Sequence, residues 1–211
     1  MKMLLRCFVI AAVILAGAPA VALPKEQAPD KYLALLARLK QGDVTVDFLE
    51  LRRAYADSPE YTDATDSDEL KAMYGAYHRG DYQEALKHSQ QLLARCYLDI
   101  DAHQVAFLAN REMHVEEEAE FHHRIAHGLI QAIFQTGDGK TAETAWEVLT
   151  VHEEYIILGV LGLQPGSQSL VHKGKHNYDV LEPTDPKTHE KVTLYFNIDK
   201  PMEHLNKLLS K

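Results

Sequence analysis

Apolar residues recur every three to four positions through the first two thirds of the chain, and every second position near its end. Tyr32, Leu33, Leu35, Leu36 and Leu39 form one helical stripe, closed by Gly42, a residue that tolerates positive φ. Phe48, Leu49, Leu51 and Tyr55 follow Asp47, a suitable N-cap, and predict a second short helix. Residues 57–68, with Ser58-Pro59 and several aspartates, read as a loop. Leu70, Met73, Tyr74 and Tyr77 then fall at helical spacing behind the cap candidates Asp66 and Ser67. Arg79-Gly80-Asp81 breaks that helix, and Tyr82, Ala85, Leu86, Ser89, Leu92, Leu93 and Cys96 begin another.

Two helices joined at a Gly-Asp turn make a helical hairpin. The run Gly80-Asp81-Tyr82 with Ala85 resembles a tetratricopeptide repeat, in which a small residue sits where the paired helices touch. A second unit is expected 34 residues on, where Ala119 follows Ala85 and Ala126 follows Leu92. Its turn has lost the signature, since His114 stands in register with Gly80 and Glu116 with Tyr82. Fewer than three repeats seldom stand alone, so this pair must lean on other structure.

The pattern changes after about residue 137. Trp146 to Val151 predicts a short strand and Glu153 to Leu161 a helix. Gln168 to His172, Asn177 to Leu181 and Lys191 to Ile198 predict three further strands, with Lys173-Gly174-Lys175 and Pro183 to Thr188 as loops. Met202 to Leu209 closes the chain as a helix. The fold class expected is α+β: helical hairpins over 30–136, then a small antiparallel sheet with a C-terminal helix over 137–211, in one domain.

Residues 1–22 stand apart. Lys2 and Arg6 lead into the apolar run Cys7 to Ala16, and small residues at Ala18, Ala20 and Ala22 follow, the pattern of a cleavable secretory signal. Residues 23–29 have little to bury and read as a flexible lead-in. The expected location is exported, periplasmic or secreted, with no stable membrane insertion after cleavage, because the apolar run falls short of the roughly 20 residues a span needs. Net charge is −9, so nucleic acid is not an expected partner. Cys96 is the one cysteine outside the leader, which excludes an intramolecular disulfide in the mature chain.

Several groups invite chemistry. Glu120, His123 and His127 share one helical face and would offer a metal two imidazoles and a carboxylate. With neither HExxH nor a second Glu-x-x-His in the chain, a solvated face is the expectation, with no metal and no cofactor. His152-Glu153-Glu154-Tyr155 groups an imidazole, two carboxylates and a phenol suited to acid–base work. Neighbours on a helix point in different directions, and glutamates in a first turn complement the helix dipole without catalysis. Gly139-Lys140-Thr141 looks like the end of a phosphate loop, but Phe134 replaces the glycine required five positions before Gly139, leaving a polar turn.

A wider resemblance runs through Val46-Asp47-Phe48, Leu51-Arg52, Gly137-Asp138-Gly139, His152-Glu153-Glu154-Tyr155, Gln168-Ser169-Leu170, Tyr178-Asp179 and Leu194-Tyr195-Phe196-Asn197. Together these stretches resemble a bacterial family known as domain of unknown function 4919. The resemblance implies an exported bacterial protein and brings no catalytic residues. The expected role is a binding or scaffolding module of the envelope that engages another envelope protein or peptide. The alternative is a metal-dependent or acid–base hydrolase using Glu120, His123, His127 or His152, should these converge.

Overall fold

The structure, a computed structural model, describes residues 30–63 and 67–210. The expected signal, the lead-in and the cap candidate Asp66 lie outside the described residues. Eight α-helices occur among those described, with six in succession before the first strand. They are α1 (Lys31–Lys40), α2 (Phe48–Asp57), α3 (Ser67–His78), α4 (Tyr82–Arg95), α5 (Ile100–Glu112) and α6 (Glu116–Phe134). The rest of the chain supplies β1 (Trp146–Glu147), α7 (Val151–Val160), β2 (Gln164–Lys173), β3 (His176–Thr184), β4 (Leu194–Asn197) and α8 (Asp199–Leu209).

Aspartates start four of the helices. Asp30, Asp47, Asp81 and Asp99 each accept a backbone N–H from the turn that follows, satisfying donors the helix leaves open. Helix α3 packs on α4, α4 on α5 and α5 on α6, with α3 also touching α5. Met73, Ala76, Ala85, Leu92, Ala102 and Val105 fill the seam between α3, α4 and α5. Ala85 is fully buried, as expected of the small residue between paired helices.

The turns of the two hairpins match in geometry where they differ in sequence. Gly80 has φ +75° and His114 has φ +61°. In the first turn Asp81 N–H donates to the Ala76 carbonyl, and in the second Val115 N–H donates to that of Asn110. That six-to-one bond is the Schellman ending, which favours glycine at the left-handed position. His114 holds it without that freedom, at a cost on the order of 1 kcal/mol.

The main core lies between α1, α2, α6, α7 and the sheet, where Leu39, Leu51, Ile125, Leu129, Ile157 and Phe196 are all fully buried. Gly128 makes the crossing of α2 and α6 possible, since a Cβ there would stand 2.4 Å from the Phe48 ring. Strand order is β1-β4-β3-β2. Strands β2, β3 and β4 are antiparallel as expected, but β1 joins β4 in parallel, pairing Trp146 with Phe196. The sheet is therefore mixed. Its first strand is also shorter than predicted, because Thr150 caps α7 through its hydroxyl and turns the chain into helix at Val151.

Candidate functional site

The residues best equipped for chemistry lie in the first turn of α7, where successive side chains leave the helix about 100° apart. His152, Glu153, Glu154 and Tyr155 accordingly reach four different surroundings. His152 Nε2 lies 2.5 Å from Asp101 Oδ2 on α5, and Tyr74 of α3 donates its hydroxyl to the other oxygen of Asp101 at 2.5 Å. The bond to Asp101 raises the pKa of His152, favouring imidazolium.

Glu153 is buried and takes both arms of the Arg52 guanidinium, at 2.6 and 2.9 Å, plus the Leu149 N–H at 2.7 Å. Arg52 is equally buried and also donates to the Glu147 carbonyl at 3.3 Å. This planar fork ties α2 to α7 and to the chain entering it. Tyr155 donates to Gln168 Oε1 on β2 at 3.0 Å, and Gln168 Nε2 donates to Asp179 Oδ2 on β3 at 2.7 Å.

Glu154 is the anomaly. It is 0% exposed, and neither carboxyl oxygen has a hydrogen-bond partner. Burial, reinforced by the charge of Asp179, pushes its carboxyl up to about 9. Asp179 faces it, and a Glu154 that carries its proton can donate that hydroxyl to the Asp179 carboxylate. At neutral pH Glu154 is a neutral acid wedged between α7 and the sheet.

Room for a substrate is small here. A cavity of about 40 Å³ is lined by Cys96, Asp99, Asp101, Thr150, His152 and Glu153. That volume suits one water molecule and falls far below the roughly 300 Å³ of the smaller ligand pockets. Desolvation pushes the Asp99 carboxyl up to about 6 and raises the Cys96 thiol, so the sulfur in this cavity stays protonated. A ligand-sized groove of about 420 Å³ lies between α2, β1, β4 and α8. Its polar groups are engaged with one another: Arg53 meets Glu147 at 3.4 Å, Lys200 meets Asp57 at 2.8 Å and His176 Nδ1 lies 2.6 Å from Asp199.

The metal candidates from the sequence do not gather. Glu120 and His123 lie exposed on α6, where Arg124 Nε donates to Glu120 at 2.6 Å and His123 stands 3.8 Å from the same carboxylate. His127 is exposed one turn on, and His152 faces Asp101 instead. Among the described residues no three His, Cys, Asp or Glu side chains are placed to hold a metal ion.

Two histidines outside these patterns form a buried pair. His103 Nε2–H donates to the Tyr97 carbonyl at 2.9 Å, leaving Nδ1 to accept from His122 at 2.8 Å. Burial and the neighbouring ring bring His103 down to about 3, so it stays neutral. Repetition of histidine along α5 and α6 carries no signal that selects these two.

Gly137-Asp138-Gly139 builds a turn under Trp146, whose Nε1 donates to the Gly137 carbonyl at 3.0 Å. A Cβ at Gly139, with φ +67°, would stand 2.6 Å from the indole ring. Asp138 holds the Lys140 N–H and the Thr144 hydroxyl, so Gly139-Lys140-Thr141 is a polar turn and no phosphate cradle.

No helix among the described residues is long and apolar enough to cross a membrane. Neither a curated protein nor a solved structure matches the chain. A family model does match, over residues 25–207, and those residues hold the α7 turn, the residues around it and the whole sheet. The chain belongs to the family described as domain of unknown function DUF4919.

Proposed function

We propose that the protein is an exported binding module of the bacterial envelope that engages another polypeptide through its stacked helical hairpins. One observation supports this most: α4 begins at residue 82 and α6 at residue 116, the 34-residue offset of a tetratricopeptide array, with the Schellman turns before them superposable in pattern. Such stacked pairs present grooves to extended or helical segments of partners. The acid–base groups of α7 favour the same reading, because His152, Glu153 and Tyr155 are each engaged in holding two elements together. Export rests on the charged start, apolar run and small residues of 1–22.

A photo-reactive amino acid at Lys71 or Gln104, exposed on α3 and α5, tests the binding role in intact cells. The expected result is a discrete adduct at both positions and none at Lys31 on α1. Adducts absent at all three, or equal at all three, would overturn it. For export, residues 1–29 fused to a reporter active only outside the cytoplasm should give activity that Leu15→Arg abolishes. Undiminished activity in that variant would count against the leader.

A further inference from the structure

The longer of the two edge strands of the sheet is β2, all ten residues of which are exposed. Such an edge presents unpaired N–H and C=O groups to any strand that approaches, and proteins usually blunt it with proline, a bulge or charge. Here proline and a bulge blunt only one end, and Lys173 is the one lysine of the regular run. Pro165 and the register shift between Gln164 and Ser167 disturb the start, where Gly166 passes so close to β3 that a Cβ would stand 2.0 Å from the Glu182 carbonyl oxygen. From Ser167 to Lys173 the pairing with β3 is unbroken, and among the described residues no strand pairs with the outer edge of that run.

We propose that this run pairs with itself in a second copy of the chain, antiparallel about a two-fold axis at Leu170, joining two four-stranded sheets into one. The ends of the regular run set the register, since an axis at Leu170 places Ser167 opposite Lys173 and uses every residue between. Opposed residues are then compatible. Leu170, 48% exposed, meets its own copy on the face that carries Tyr155, Val171 meets Ser169, and Gln168 meets His172.

Charge fits the same register. No aspartate or glutamate occurs between Glu154 and Asp179, so a chain of net charge −9 places no carboxylate on this edge. Lys173, which also meets Glu143 of its own chain, comes opposite Ser167 of the second copy. That serine donates to the exposed Glu182 beside it at 2.6 Å, so each end of the interface brings an ammonium toward a carboxylate. An isologous interface requires a patch complementary to itself, and this strand has that property.

The test uses the chain as exported, without residues 1–22, with Cys96 replaced by serine. Sedimentation should give twice the chain mass. Leu170→Cys should form an inter-chain disulfide on mild oxidation, since residues on the axis bring their Cβ atoms within bonding geometry, while Gln164→Cys should not. Leu170→Lys, which sets two ammonium groups against each other, should weaken association at least about tenfold, and its thermal melt should match that of the parent only at concentrations where both are monomers. Amide exchange at 167–173 should slow with concentration in the parent and not in Leu170→Lys. A monomer at all concentrations with fast exchange there would overturn the proposal. So would a dimer indifferent to Leu170→Lys, equal cross-linking at both cysteines, or a different polypeptide captured on the edge.

Discussion

Helices α6 and α7 look alike in sequence at their starts, each opening with glutamates and carrying histidine within the first turns, yet the structure treats them oppositely. On α6, Glu120 and His123 are 55% and 51% exposed, and their one close ion pair is with Arg124 on the same helix. On α7, His152, Glu153 and Tyr155 are bonded to α5, α2 and β2, and Glu154 is enclosed against β3. What separates them is the number of layers around each helix. Helix α6 presents one side to solvent, while the first turn of α7 sits where the helical layer meets the sheet. Identical side-chain chemistry is a solvated surface in the first case and a four-way joint in the second.

The sharpest test of that contrast is Arg52→Met. It leaves the Glu153 charge buried without its partner, and unfolding by denaturant should show a loss of about 3–5 kcal/mol. Glu154→Gln comes next and acts through pH. A carboxyl near 9 in the folded chain and near its ordinary value of 4.5 when unfolded stabilises the fold fully below about 4.5. That contribution drains away as pH climbs toward 9, by an amount on the order of 3 kcal/mol between pH 5 and pH 8. The glutamine variant should lose this slope, measured as melting temperature against pH, and a slope that persists would place it elsewhere.

His152→Asn removes a bond to a charged partner and should cost about 1.5–3 kcal/mol at pH 6. Because Asp101 raises the pKa of His152, its contribution is complete below the unfolded value of 6.5 and fades as pH rises through the folded one. The deficit of the variant should shrink accordingly at pH 9. His114→Gly should stabilise by about 1 kcal/mol, by relieving a left-handed residue that no glycine occupies. On the α6 side, Glu120→Ala and His123→Ala should each change stability by less than about 0.5 kcal/mol, and EDTA should leave the melt unmoved. A large effect there would erase the distinction between the two helices.

How much of this could be read from the chain follows the range of each interaction. Asp47 as a cap, the break at Gly80-Asp81 and the alternation of Leu194 and Phe196 with Tyr195 are local signals that lie where the structure has its elements, although β4 is shorter than the predicted Lys191 to Ile198. The α7 turn was visible as a cluster of useful groups, and its glutamates do occupy a first turn. Its partners were not visible, because Arg52 and Glu153 are 101 positions apart and nothing in the intervening residues encodes their meeting. The parallel pairing of β1 was hidden because two residues carry no periodicity. His114 was hidden for another reason, since its left-handed backbone is imposed by the helices on either side, against the preference of its own side chain.

The placement of β4 has a consequence for how the molecule comes into being. This strand is late in the chain and internal in the sheet, with β1 on one flank and β3 on the other. A nascent polypeptide halted before residue 194 can wind its helical hairpins from neighbouring residues, but its β2–β3 hairpin remains a two-stranded ribbon, marginal in water. Trp146 must wait for Phe196 to emerge before its own strand has anything to join. Strand β4 is therefore the keystone of the sheet, and because Leu194 and Phe196 also fill the core under α1, α2 and α6, its arrival completes the helical half as well.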